Sequence, residues 1–337
     1  MSFLLKLLKK LFGLGTSSPD PSPDPVPAPI MDDPDEPAQI TTNRVLAIIY
    51  NPVMDADSGE KLSQRPGWYD PDDLVVGFTT EITEDSYGMG RFEIVERIEV
   101  DAFPVLEDGF RYAPSLYEDV LDQTTPPHEP HKVDYHAILD DFDVLHKVEQ
   151  NEIDEVWVFA FPYGGFYESI MAGKGAFWCN APPLSGTQHI SRKFIIMGFS
   201  YERGIGEMME SFNHRVESLM ERTFVKTRGN DNLWERFTRY DTKNPGQAEV
   251  GNVHFAPNSE RDYDWGNPKF VPSNCYDWYN FPNFTGETRQ VNASEWGNGD
   301  IRLHHRWWLK HIPHVAGRQN GVHNNWWQYI LDPDKIA

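Results

Sequence analysis

The sequence predicts an α/β fold: a mostly parallel central sheet covered by helices, with a loop-rich, aromatic C-terminal half wrapped on it. Two observations predict the sheet. Apolar runs of strand length centre on Val45 to Tyr50, Asp154 to Phe161 and Lys193 to Phe199, as expected of strands buried on both faces. Segments of helical periodicity lie between and after them. A third observation predicts the wrap. From Arg228 onward periodicity fades, yet eight of the eleven tryptophans fall there. Such single aromatics find burial by packing on the sheet unit rather than by building a second core.

Taken in order, the first buried strand stops at Asn51-Pro52, a turn signal. Pro71 to Ile82 reads as a helix, with Asp70 as its N-cap. Phe92 to Val100 alternates like a strand, and Asp134 to Val148 has helical spacing. The second buried strand ends in Pro162-Tyr163-Gly164-Gly165. The third leads through Ser200 to Gly204 into a helix from about Ile205 to Phe224. Two more helices are expected near Ile301 to Ile312 and Asn325 to Leu331. In parallel sheets ligands gather outside the carboxyl ends of the strands. That rule places Asn51, Tyr163, Glu168 and Glu202 beside a crevice.

Three regions divide the 337 residues: a basic amphipathic segment over 1–14, a Pro/Asp-rich linker over 15–40, and one globular α/β domain over 41–337 with its wrap from about 228. In the first, Lys6, Lys9 and Lys10 oppose Phe3, Leu4, Leu7, Leu8 and Leu11. Such a helix suits peripheral attachment to an anionic membrane surface. Behind that reading stand a helix that docks on a partner protein and a lysine-interrupted export signal, so peripheral membrane and exported locations both stay open. No run of eighteen apolar residues is present to span a bilayer as a helix. Net charge is −22 with a pI near 4.8; without a basic patch in the body, nucleic acid is excluded as a partner. Cys179 and Cys275 are too few for a disulfide framework or a thiolate zinc site.

The strongest chemical signal lies on the helix starting near Ile205. Ile205, Met208, Met209, Phe212, Val216, Leu219 and Met220 form an apolar stripe. Opposite it, Glu210, His214, Glu217 and Glu221 stack along a polar one. A surface helix shows such a polar stripe without any function. The functional reading is a divalent metal site, with zinc the expected ion. Glu210 and His214, four residues apart, reach one ion; Glu217 is a further ligand or supporting partner; His254 in Gly-Asn-Val-His-Phe supplies another ligand. The histidines His304, His305, His311 and His314 are alternative donors.

Glu210-Ser-Phe-Asn-His214 resembles the active helix of zincin metallopeptidases. That family binds zinc through two histidines four residues apart and uses a Glu after the first as its base. Here Glu210 stands at the first histidine's place and Ser211 at that of the base. The resemblance implies a metal-dependent, peptidase-like hydrolase, and it leaves Glu202 or Glu207 as candidate bases.

Two other readings compete. Glu168 and Glu202 each follow a predicted strand and have aromatic neighbours, a pairing that suits the two carboxyls of a glycosidase. A module that binds glycan or protein through its aromatics, without catalysis, is the third. Nucleotide hydrolysis is unsupported, because Tyr163-Gly-Gly-Phe-Tyr167 has neither the spacing nor the lysine of a phosphate loop.

Overall fold

The computed structural model describes residues 36–336; the expected amphipathic segment and most of the linker lie outside them. The central sheet has five strands: β1 (Thr41–Tyr50), β2 (Gly90–Val100), β3 (Glu155–Ala160), β4 (Ser169–Ala172) and β5 (Phe194–Ser200). They lie in the order β2-β1-β3-β5-β4. β1 runs parallel to β2 and β3, and β3 parallel to β5. Only β4, at one edge, is antiparallel. Every residue of β3, and every residue of β1 from Val45 on, is buried. Because successive side chains point to opposite faces, both faces must be covered.

Helices that pack on the sheet or line the site include α1 (Pro71–Asp85), α2 (Tyr135–Asp141), α3 (Val144–Glu149), α4 (Ile205–Thr223), α5 (Ile301–Lys310) and α6 (Trp327–Leu331). Asp70 caps α1 through the Asp72 N–H, as its sequence predicts. Phe78 on α1 sits among Phe92 of β2, Trp157 of β3 and Phe212 of α4, with ring centroids 5.4–6.2 Å away. These aromatic contacts join two helices to the sheet. At Gly206, a Cβ would come within 2.6 Å of the Ile301 side chain. Glycine there lets α5 approach the start of α4.

One expected helix is two. The spacing over Asp134 to Val148 is helical throughout, but Asp143 adopts a left-handed conformation, φ 53°, and separates α2 from α3. Asp tolerates that geometry better than most residues. Periodicity does not reveal such a break. The wrap also contains short antiparallel strand pairs, His314–Gln319 with Val322–Asn325 and Val271–Ser273 with Arg289–Val291. Its tryptophans Trp234, Trp265, Trp278, Trp296, Trp307, Trp308, Trp326 and Trp327 are all buried, in a core continuous with the sheet's. Cys179 and Cys275 are separate, buried free thiols.

Candidate metal centre

Helix α4 follows β5, the third buried strand, so it begins at the carboxyl end of the sheet. Glu207 fixes that beginning, for its side chain accepts the Gly204 N–H at 3.1 Å. From there the apolar stripe goes into the core: Met208, Met209, Phe212, Val216, Leu219 and Met220 are each at most 2% exposed. The first part of the polar stripe faces the wrap, whereas Glu221, at its far end, is exposed. Side-chain exposure is only 13% for Glu210 and 18% for His214.

The wrap brings His254 to this stripe. Its Nε2 lies 3.0 Å from Nε2 of His214 and 3.6 Å from Oε1 of Glu210. Among the described residues, Glu210, His214 and His254 are the one group of three or more such side chains whose ligand atoms all fall within 4.8 Å of one another. The far nitrogens are also held. Nδ1 of His214 is 3.0 Å from Glu217 Oε2, and Nδ1 of His254 is 3.1 Å from Asp262 Oδ1. The other oxygen of Glu217 accepts the Val253 N–H at 3.1 Å, which ties the loop bearing His254 back to α4.

A neutral imidazole carries one N–H. Where each ring is neutral and carries its hydrogen on the Nδ1 beside a carboxylate, the two Nε2 atoms present lone pairs to each other at 3.0 Å. Two lone pairs at that distance repel unless a cation lies between them, either a metal ion or an added proton. The local field favours positive charge. Burial lowers the proton affinity of His214, but its hydrogen bond to Glu217 and the charges of Glu217, Glu168 and Glu210 outweigh that and raise its pKa. For Glu210, burial acts to raise the pKa, and His254, His214 and the Tyr263 hydroxyl together bring it below the usual value.

Glu210, alone of the three, lines a cleft of about 230 Å³ at the carboxyl ends of β3 and β5. Its walls include Phe161, Tyr163 and Phe166, and its carboxylates are Glu168, Glu202, Glu207 and Glu210. Glu210 therefore belongs to both cleft and cluster. The structure brings Glu168, Glu202 and Glu207 into one space, but each has a different engagement. Glu207 holds the helix start; Glu168 accepts a hydrogen bond from the Asn180 amide; Glu202 is 3.6 Å from Arg203. Asn51, expected beside the crevice, is not in its lining. It is buried, and its amide reaches Ser63 at 2.9 Å and Glu99 at 3.1 Å.

Two members of the site escaped the sequence reading. Asp262 and Tyr263 follow His254 by eight and nine residues, in an acidic and aromatic run without periodicity. The Tyr263 N–H bonds the His254 carbonyl at 3.1 Å and its ring lies 4.3 Å from the imidazole. Only that loop closure makes them neighbours of His254. Ser211, at the base position of the zincin pattern, bonds the Glu207 carbonyl at 3.1 Å.

Comparison with known proteins finds no matching family model, no matching curated protein and no matching solved structure. The class defined by fold and site is thus an α/β protein with a Glu/His/His group able to bind a metal ion.

Proposed function

We propose that this chain is a metal-dependent hydrolase that holds zinc or another divalent transition metal on Glu210, His214 and His254. One observation carries the reading: two Nε2 atoms meet at 3.0 Å while each ring's Nδ1 is held by a carboxylate. Two imidazoles and one carboxylate are a donor set that zinc uses in hydrolases, with a position left for water or substrate. Glu217 and Asp262 serve as the carboxylates behind the histidines, which orient the rings and strengthen them as donors. When bound, such an ion supplies an activated water and polarises the oxygen of the group to be cleaved.

The protein's own residues divide the remaining work. Glu210 faces the cleft, so substrate approaches from that side. Glu168 is the best-placed candidate for a base, because it lines the cleft and its charge is felt by His214. Glu207 is committed to the helix start. The acidic lining disfavours phosphorylated substrates and favours neutral or cationic ones, such as the amide of a peptide.

Elemental analysis of the purified full-length chain, followed by zinc titration of chelator-treated protein, tests the reading. One equivalent per chain, abolished by both Glu210→Gln and His214→Ala, is the expected result. A wild-type chain that takes up no transition metal overturns it and assigns the Nε2 contact to a shared proton.

A second reading has one observation in its favour. Glu168 and Glu202 line the same cleft, as the two carboxyls of a glycosidase would. Hydrolysis of aryl glycosides by metal-stripped protein, lost in Glu202→Gln, would select this reading over the first.

A further inference from the structure

Beside the candidate metal centre lies a group of buried polar atoms without partners. His304 is fully buried and neither ring nitrogen has a hydrogen-bond partner. His305, equally buried, lacks a partner at Nε2; Trp265 lacks one at Nε1 and Asn213 at Oδ1. Trp265, His304 and His305 touch one another, and Asn213 touches His305. Trp265 stacks on His304 at 4.8 Å and meets His305 edge-on at 5.1 Å; the two imidazoles are 5.1 Å apart; the Asn213 amide is 3.2 Å from His305 Nδ1. Unpaired buried polar groups cost free energy and are rare in native proteins. So many in mutual contact point to an occupant.

Hydrogen-bonding roles identify it. Burial holds both imidazoles neutral, so each has one N–H and one lone pair. The Asn213 amide N–H₂ faces both Nδ1 and the carbonyl of His305, which makes Nδ1 the acceptor and leaves Nε2–H as a donor. The unmet groups are then three donors, on Trp265, His305 and His304, and two acceptors, on Asn213 and His304. A metal ion would leave the N–H groups unserved, and an anion would face the Asn213 oxygen. Turning the Asn213 amide over exchanges two roles but leaves the mixture intact. Water both donates and accepts, and meets the whole set.

We propose that Asn213, Trp265, His304 and His305 enclose ordered water, and that this water positions the metal ligands. Its partners come from the three segments that meet at the site. Asn213 precedes His214 on α4, Trp265 closes the loop that carries His254, and His304 and His305 belong to α5. Trp265 reaches the ligand through Tyr263, whose ring lies 5.2 Å from Trp265 and 4.3 Å from His254. The positioning half rests on the metal reading above; the water half does not.

High-resolution crystallography of the full chain, metal-free and zinc-soaked, tests both. The expected map shows water bonded to Trp265 Nε1 and His305 Nε2 in both crystals, with zinc density at Glu210, His214 and His254 alone. No water at those atoms, or zinc on His304 or His305, overturns the water assignment. Trp265→Phe removes one N–H while keeping a ring. It should lose a water and weaken zinc binding roughly tenfold in a competitive chelator titration; a lost water with unchanged zinc affinity overturns the positioning role. Water present in a chain that binds no zinc leaves the water assignment standing, and rejects both the metal reading and the positioning role.

Discussion

Arg215 and Glu155 form an ion pair 2.9 Å long inside the core, with side chains 0% and 1% exposed. Arg215 follows His214 directly, so this pair anchors α4 to the sheet one residue from the candidate metal ligand. Asn43 and Trp157 also donate to Glu155, at 2.7 and 2.5 Å. The Arg215 guanidinium continues to the Ile330 carbonyl of α6 at 3.1 Å. Helix α4, the sheet and the last helix are thus joined at one buried charge pair.

Arg215→Met leaves Glu155 buried without its counter-charge, and the expected loss is about 3–5 kcal/mol in urea denaturation. Adding Glu155→Leu should recover part of that loss, because an apolar pair avoids the desolvation of both charges. Equal losses in the single and double variants would show that shape at this position matters more than charge.

Zinc should raise the melting temperature of the wild-type chain, since a ligand that binds only the folded state at a hundred times its Kd adds about 2.7 kcal/mol. The increment should vanish in His254→Ala. It should also shrink toward acid pH, because zinc must displace the proton that Glu217 helps His214 retain. In the metal-free chain the sign is opposite. The raised pKa of His214 contributes stability below its unfolded value near 6.5 that is lost as pH rises through the folded one. Thermal melts between pH 5.5 and 8, with zinc and with chelator, read both slopes.

Asp154 gives a separate acid transition. Burial acts to raise its pKa, but Arg44 at 2.8 Å and Arg192 at 2.7 Å prevail and hold it at about 2. A depressed carboxylate contributes stability above its unfolded pKa, near 3.8, that is lost as pH falls to about 2. Asp154→Asn should lower stability at pH 7 and flatten the dependence between pH 4 and 2. A variant as acid-sensitive as the wild type would place that transition elsewhere.

Gly198, on β5 in the cleft wall, has no room for a side chain. A Cβ would lie 2.4 Å from the Tyr167 carbonyl oxygen and 2.8 Å from Cβ of Phe166. Gly198→Ala should cost about 1–3 kcal/mol as the segment bearing Glu168 is displaced. Chemical denaturation measures the cost, and any hydrolytic activity found should fall with it.

The apolar runs of β1, β3 and β5 are legible because strands buried on both faces cannot alternate, and Asp70-Pro71 marks the start of α1 because cap and proline act locally. The i, i+4 spacing of Glu210 and His214 was equally readable, since helix geometry alone puts them on one face. The antiparallel edge strand β4 was not, for four residues leave little pattern. Asp262 and Tyr263 were invisible as site members because nothing local joins them to α4.

By itself the sequence determined the α/β class, the course of α4 and the donor types on its polar face. These follow from periodicities of a few residues, which the chain carries within each element. Tertiary structure alone decided that His254 comes within 3.0 Å of His214, that Glu217 and Asp262 stand behind the two rings, and that His304 and His305 lie in the core. The reason is physical. A metal site needs donors converging on one point, and here that convergence depends on how an aperiodic wrap, forty residues beyond α4's histidine, packs its tryptophans against the sheet unit.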